Sequence, residues 1–312
     1  MAAIRKHFCN ARVEIIGYPS YLEIVNGRFY ADATSRFDQA EFSTLFTNTP
    51  NYTELLLEKF GNADIVIPFV VDKEKVLLNN LAALGAKNIV QYDPFPSPEG
   101  NVHIIDHFLR LLDKFEIKYL DKIPKVYFND EDTLFSDNFI KSNIKNSEKV
   151  SVAIHPGSGS KQKCWPIEYF ADLITWLRDE MRANVFVVSG PADYKIVERL
   201  KLKLKGSFFI VENLALPHLA AVIKRCNLFI GNDSGITHLA SAVGVPTIAI
   251  FGPTNPAIWG PRGKMVKIIY KELQCNPCEE VERVNCVSKD CFINITVEEV
   301  IGEVKQVLNW YK

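Results

Sequence analysis

No apolar run in this 312-residue chain approaches the ~18 residues needed to cross a bilayer, and the longest, such as Ile65 to Val71, are short. That excludes a membrane-spanning helix. The first residues, MAAIRKHFCNARVEIIGYP, carry charges but no apolar core, so they do not read as a signal peptide. Net charge is nearly absent as well: 36 Lys and Arg against 37 Asp and Glu leave −1. Nucleic acid is therefore not expected as the main partner. The cysteines do not form an even set. There are seven, and without an export signal they are expected to be reduced thiols of a cytoplasmic protein.

What is present is a packed globular composition, 47% hydrophobic and 23% charged, at a length that suits two domains. The basic run Lys201 to Lys205 reads as a solvated helix end; the other reading is attraction to an anionic membrane surface. Short β-branched runs alternate with amphipathic stretches, the pattern of a parallel α/β sheet. In the first half, Arg12–Ile16, Asp64–Phe69 and Lys87–Tyr92 predict strands. Tyr52–Lys59, Glu74–Leu84, Val102–Phe115 and Phe135–Ile144 predict helices, and residues 1–8 look like the end of another. The polar segment Lys145 to Lys149 is the expected linker, which places one domain at 1–147 and the other at 148–312.

The second half restarts the alternation. Strands are predicted at Val150–Ile154, Asn184–Val188, Phe208–Val211, Leu228–Ile230 and Pro246–Phe251. Helices are predicted at Pro166–Arg182, Ala192–Leu204, Pro217–Arg225 and near Gly235–Val243. At the end, Thr296-Val-Glu-Glu299 is a capping box. Val297, Val300, Ile301, Val304, Val307, Leu308 and Tyr311 follow at helical spacing, so one face of the last helix is buried. The expectation is two Rossmann-like domains facing a cleft.

Two segments carry chemistry. HPGSGSKQKCWP, His155 to Pro166, lies between a strand and a helix, where open α/β sheets bind ligands. Gly157 and Gly159 let backbone approach a ligand; Ser158, Ser160, Lys161 and Lys163 offer hydroxyls and positive charge to phosphate oxygens. The spacing is not that of a Walker loop, and a plain Gly/Ser surface turn is the competing reading. The second segment is Gly231-Asn-Asp-Ser-Gly-Ile-Thr-His238, which follows one strand and opens a helix. Asp233 or Ser234 caps that helix, and Gly235 lets a ligand reach its amides, making a diphosphate site. His238, one turn into the helix, is either a ligand contact or structural. His155 reads as a buried hydrogen-bonding residue rather than a general base.

In this order, HPGSGSKQKCWP, SGPAD, GNDSGITHLASAVGVPTIAIFGPTNP and CNPC…C…CF resemble glycosyltransferase family nine, the lipopolysaccharide heptosyltransferases and their relatives. The resemblance is strong over residues ~150–312 and weak before them. It implies an α/β GT-B fold whose C-terminal domain holds the sugar nucleotide and whose last helix returns to the first domain. It implies an inverting, metal-independent transferase with no cofactor. The expected donor is an ADP-sugar such as ADP-heptose. The acceptor is a lipopolysaccharide-type glycan or lipid-linked species at the inner face of the inner membrane, with peripheral membrane association. By position, Lys163 stabilises the departing diphosphate. Ser158, Gly159, Ser160, Asp193, Asp233, Ser234, Gly235, Thr237 and His238 complete the donor set.

Two expectations remain beside these. Members of the family begin with a strand and a Gly-Asp loop whose aspartate is the proposed base, and no Gly-Asp pair stands at the start of this sequence. The general base is thus unassigned. The expectation is a chain lacking that strand and loop, and the alternative function is a non-catalytic or truncated nucleotide-sugar-binding protein. Cys275, Cys278, Cys286 and Cys291 have a spacing within the range of a structural Zn²⁺ site, with reduced thiols or a local disulfide as the other readings. Cys9, Cys164 and Cys226 read as packing residues.

Overall fold

The computed structural model describes residues 1–97, 100–119, 121–144, 148–204, 208–278 and 280–309. The chain forms two compact units, Met1–Asp121 and Lys122–Lys312. The expected linker residues 145–147, Lys205 of the basic run and Tyr311 of the last helical stripe lie outside the described residues.

The first unit contains α1 (Ala2–His7), β1 (Glu14–Gly17), α2 (Pro19–Leu22), β2 (Ala33–Arg36), α3 (Ala40–Ser43), α4 (Glu54–Gly61), α5 (Val76–Ala83) and α6 (Ile104–Arg110). β1 and β2 pair in parallel. Glu14, on β1, takes hydrogen bonds from Lys59 of α4 and Ser35 of β2. Beneath them Phe42, Leu45, Leu56, Phe60, Leu77, Leu81 and Leu84 close a core. The expected strands at 64–69 and 87–92 are reduced to two isolated parallel bridges, Val66–Ile89 and Phe69–Tyr92. Pro68 lies between them and has no amide hydrogen to give, so a regular ladder does not extend there.

The second unit contains α7 (Asp130–Asn143), β3 (Ser151–His155), α8 (Ile167–Asp179), β4 (Asn184–Ser189), α9 (Tyr194–Lys203), β5 (Phe209–Glu212), α10 (Leu216–Lys224), β6 (Leu228–Asn232), α11 (Gly235–Ala242) and β7 (Thr247–Phe251). After these come α12 (Pro256–Trp259), β8 (Val266–Tyr270), α13 (Glu280–Asn285), α14 (Asp290–Ile293) and α15 (Val297–Asn309). Its six parallel strands lie in the order β5-β4-β3-β6-β7-β8. The chain runs outward in one direction from β3, then returns to β6 and runs outward in the other. That doubly wound order places a switch point between β3 and β6, where ligand crevices form.

Sequence explains why this sheet is buried on both sides. Alternate residues of β3, β4 and β6 point to opposite faces. Val152, Ile154, Val185, Val187, Leu228 and Ile230 pack with Phe170, Leu173, Ile174 and Leu177 of α8 and Val300, Val304 and Val307 of α15. Ala153, Phe186, Val188 and Phe229 meet Leu219, Val222 and Ile223 of α10, with Phe135 and Phe139 of α7 alongside.

Several expectations shift. Helix α7 begins five residues earlier than its apolar pattern suggested, because Asn129 and Asp132 form a reciprocal capping box and the first turn is acidic. It packs on α10 within the second unit, so the units divide after Asp121 rather than after residue 147. The apolar stripe of α15 is buried on α8 of its own unit. Ion pairs Lys271–Glu299 at 2.7 Å and Lys267–Glu303 at 3.0 Å fasten that helix to the region of β8, a strand the sequence pattern did not reveal.

Leu173 is fully buried between α8 and the sheet, while Leu202 of α9 is 87% exposed. Leu173→Ala is expected to cost about 2–5 kcal/mol through the cavity it leaves. Leu202→Ala is expected to change stability by less than ~0.5 kcal/mol. Urea unfolding followed by circular dichroism separates the two, and equal effects would contradict this packing.

Candidate functional site

The site is built where β3 and β6 end. β3 delivers His155 and the loop to Pro166; β6 delivers Asn232, Asp233 and Ser234 at the start of α11. The fully buried side chain of Asn232 ties these two segments together. Its Nδ2 donates to the carbonyls of Pro156 (2.9 Å) and Gly157 (3.2 Å), and its Oδ1 accepts from the Trp165 N–H at 3.0 Å. Both ends of the loop are thereby held against one strand end. The buried Trp165 ring is fixed in turn by its Nε1–H, which donates to the Ile295 carbonyl at 2.9 Å.

Within this frame Lys163 meets Asp233. Its ammonium lies 2.8 Å from Asp233 Oδ2, and Thr254 Oγ1 donates to the same oxygen at 2.7 Å. Ser158 Oγ donates to the Asp233 carbonyl at 2.7 Å. Ser234, not Asp233, is the Ncap of α11: its hydroxyl accepts from the Thr237 N–H at 3.3 Å. The sequence left both residues open for that role. Asp233 is unavailable for it because Lys163 and Thr254 draw its carboxylate aside. The helix end therefore presents its first amides and partial positive charge beside a lysine.

Expected site residues fall into two groups. Ser158, Lys163, Asp233, Ser234 and Gly235 converge at the ends of β3 and β6. Ser160 hydrogen-bonds Gln162 within its own loop, Gly159 is exposed beside it, and His238 stands half-buried one turn into α11. Thr237 and Asp193 differ from expectation. Thr237 is fully buried and its hydroxyl donates to the Asn232 carbonyl at 2.5 Å, so it holds the turn rather than facing outward. Asp193 is 5% exposed, and its Oδ2 takes the Gly190 N–H at 2.8 Å and lies 3.0 Å from His155 Nε2. Burial alone would raise that carboxyl, but the hydrogen bond and charge of His155 and the Gly190 amide outweigh it and hold Asp193 below the usual carboxylate range. Its Oδ2 is thus engaged by protein groups.

The glycines divide in the same way. A Cβ on Gly157 would lie 1.8 Å from Asp193 Oδ1, so this glycine makes room for a buried carboxylate. A Cβ on Gly231 would press on Phe229 and Thr237, whereas one on Gly235 would meet nothing within 4 Å. Open space therefore lies at the N-terminus of α11. Sequence reasoning missed Thr254 and Asn232, although both stand inside the quoted motif; neither shows its partner until the strands are aligned.

Cys275, Cys278, Cys286 and Cys291 line one small cavity together with Gln162 and Lys289. Among the described residues no three His, Cys, Asp or Glu side chains are grouped so as to hold a metal ion. Lys289 Nζ donates to the Lys161 carbonyl at 2.8 Å, so this segment buttresses the Lys163 loop. Burial pushes the thiols of Cys291 and Cys164 up to about 11 and that of Cys226 to about 12. Among the described residues no helix is long and apolar enough to cross a membrane.

The model for glycosyltransferase family 9 (heptosyltransferase) matches residues 89–287. The chain is 28% identical over 191 residues to lipooligosaccharide heptosyltransferase 2 of Campylobacter jejuni, which takes in 59% of each chain. It thus spans about six tenths of the length of the curated relatives it matches. The crystal structure of a family 9 glycosyl transferase from Veillonella parvula superposes with a TM-score of 0.78 at 19% identity, covering 98% of this chain and 91% of that one. The E. coli heptosyltransferase WaaC with ADP superposes at 0.63 and 15% identity, covering 98% and 93%. These likenesses identify the fold as GT-B.

Gly157→Ala is expected to lower stability by about 1–3 kcal/mol by forcing Asp193 aside, whereas Gly235→Ala leaves the melting temperature unchanged; equal melting shifts would refute the assignment. In iodoacetamide labelling at pH 8, exposed Cys9 and Cys275 are expected to react before Cys226 and Cys291. Peptide mass spectrometry reads the order, and uniform rates would contradict it.

Proposed function

The chain belongs to glycosyltransferase family 9 (heptosyltransferase), and from that premise we propose that it transfers a sugar from a nucleoside diphosphate sugar to a glycan acceptor. The observation that carries this reading is the Lys163–Asp233 pair standing beside the open N-terminus of α11 at Gly235. A lysine and a helix end directed at one place suit a diphosphate. A structural relative carries ADP, which supports adenosine as the nucleoside. The family description supports heptose as the sugar.

The proposed reaction is an inverting displacement. A base relieves the acceptor hydroxyl of its proton, and that oxygen attacks the anomeric carbon on the face opposite the diphosphate. The new C–O bond forms as the bond to phosphate breaks, and the diphosphate leaves with the electron pair. This chain's part is to take up that charge. Lys163 and the N–H groups of Gly235 and Ile236 face the leaving oxygens, while Ser158 and Ser160 line the same loop. Asp233 orients Lys163 through its 2.8 Å contact, and Thr254 orients Asp233. No metal ion or cofactor enters the proposal. The reading extends to a lipopolysaccharide-type or lipid-linked acceptor at the cytoplasmic face of the inner membrane, with peripheral association.

Calorimetric titration with ADP and UDP tests donor recognition, and a transfer assay with ADP-heptose tests chemistry. Lys163→Ala is expected to weaken ADP binding and to lower kcat by about 10²–10³-fold, the scale of losing one preorganised charge stabiliser. A wild-type chain that binds neither nucleotide would sink the proposal.

A further inference from the structure

One buried chain of polar groups crosses the carboxyl ends of three strands and has no part in the reaction just described. Asp193 Oδ2, beyond β4, lies 3.0 Å from His155 Nε2 at the end of β3. His155 Nδ1 lies 3.2 Å from Ser234 Oγ, beyond β6. Ser234 Oγ lies 3.1 Å from Thr237 Oγ1, which donates to the Asn232 carbonyl at 2.5 Å. His155 is 4% exposed, and Asp193 and Thr237 are buried beside it.

Each of these four contacts needs one proton. An ionised Asp193 and the Asn232 carbonyl supply none, and Ser234 and Thr237 supply one each. A neutral imidazole supplies one more and an imidazolium two. Only the imidazolium serves all four contacts, and it does so in a single direction. Nε2–H points to Asp193, Nδ1–H to Ser234, Ser234 O–H to Thr237, and Thr237 O–H to the carbonyl. Ser234 Oγ then accepts from His155 and from the Thr237 N–H and donates once, which uses its full hydrogen-bonding capacity. A neutral ring leaves the chain one proton short, so two lone pairs face each other inside the protein at a cost in free energy.

From this count we propose that His155 is a positioning residue of the donor site, held as an imidazolium whose charge lies one hydroxyl behind the N-terminus of α11. The proposal rests on the reading of that helix end as the diphosphate site. The buried charge adds to the partial charge of the helix and strengthens attraction for a diphosphate. The charged group that faces the ring is Asp193, from the β4–α9 loop. Asp193 supplies the compensating negative charge.

The test begins with the wild-type chain labelled with ¹⁵N. Long-range ¹H–¹⁵N correlation at pH 7 is expected to show both His155 ring nitrogens protonated. The signal is assigned by its loss in His155→Gln, or by ring-to-Cβ correlation should that variant not fold. One unprotonated ring nitrogen overturns the proposal. Calorimetry with ADP at pH 7 is the second arm. Folded His155→Gln is expected to bind ADP about tenfold more weakly, on the scale of a favourably buried charge at a helix end. Unchanged affinity overturns it. Absence of ADP binding by the wild type overturns the donor reading and the role given to the charge, while the ring nitrogens still report the proton count.

Discussion

The loop after β3 and the start of α11 depend on one buried amide. Asn232 holds the carbonyls of Pro156 and Gly157 with its nitrogen and the Trp165 amide with its oxygen. A primary amide buried without partners would be costly, so its three bonds fix the loop in one register. The main-chain carbonyl of the same residue receives Thr237 and so also sets the first turn of α11. The loop that carries Lys163 and the helix end that opens at Gly235 are thus referred to a single strand terminus. Their relative placement is set before any ligand arrives, which is the condition for electrostatic stabilisation without reorganisation.

Around this amide two carboxylates are handled differently. Asp233 is paired with Lys163 at the edge of the site. Asp193 is enclosed with His155, and Gly157 lacks a side chain so that the carboxylate fits. In the first pair the lysine keeps a quarter of its side chain exposed. In the second both side chains are buried. Buried ion pairs of this kind are weak sources of net stability, because desolvation opposes them. Their persistence here is better understood through the loops they align: those after β3, β4 and β6.

Much of the second unit was legible because its signals are local. Strands buried on both faces read as continuous apolar runs, and α8 and α15 show the 3.6-residue stripe of helices with one buried face. The Asp233–Gly235 string and the Lys163 loop, grouped by residue type and spacing, do meet at the ends of β6 and β3. The first unit was less legible. Its expected strands at 64–69, interrupted by Pro68, and at 87–92 make only isolated bridges, and β2 carries no strong apolar alternation. Gly157 was read as ligand-facing from its loop after a strand, and Asp193 from the resemblance to the family. Their actual partner is each other, 36 positions apart in sequence and joined only when β3 and β4 pair.

Sequence alone determined the α/β alternation, the family and the presence of a lysine and a capped helix start at the ends of two strands. These rest on periodicity, capping chemistry and motif order, which act over a few residues. Tertiary structure alone decided which hydroxyl caps α11, which carboxylate pairs with Lys163, and which glycine clears space for a buried carboxylate. It also placed α7 and α15 on the second unit and brought four cysteines around one cavity without grouping them for a metal. The physical reason is common to all: a polar group's role is set by the partner it meets across the sheet. That partner is chosen by strand order and register, not by the neighbours along the chain.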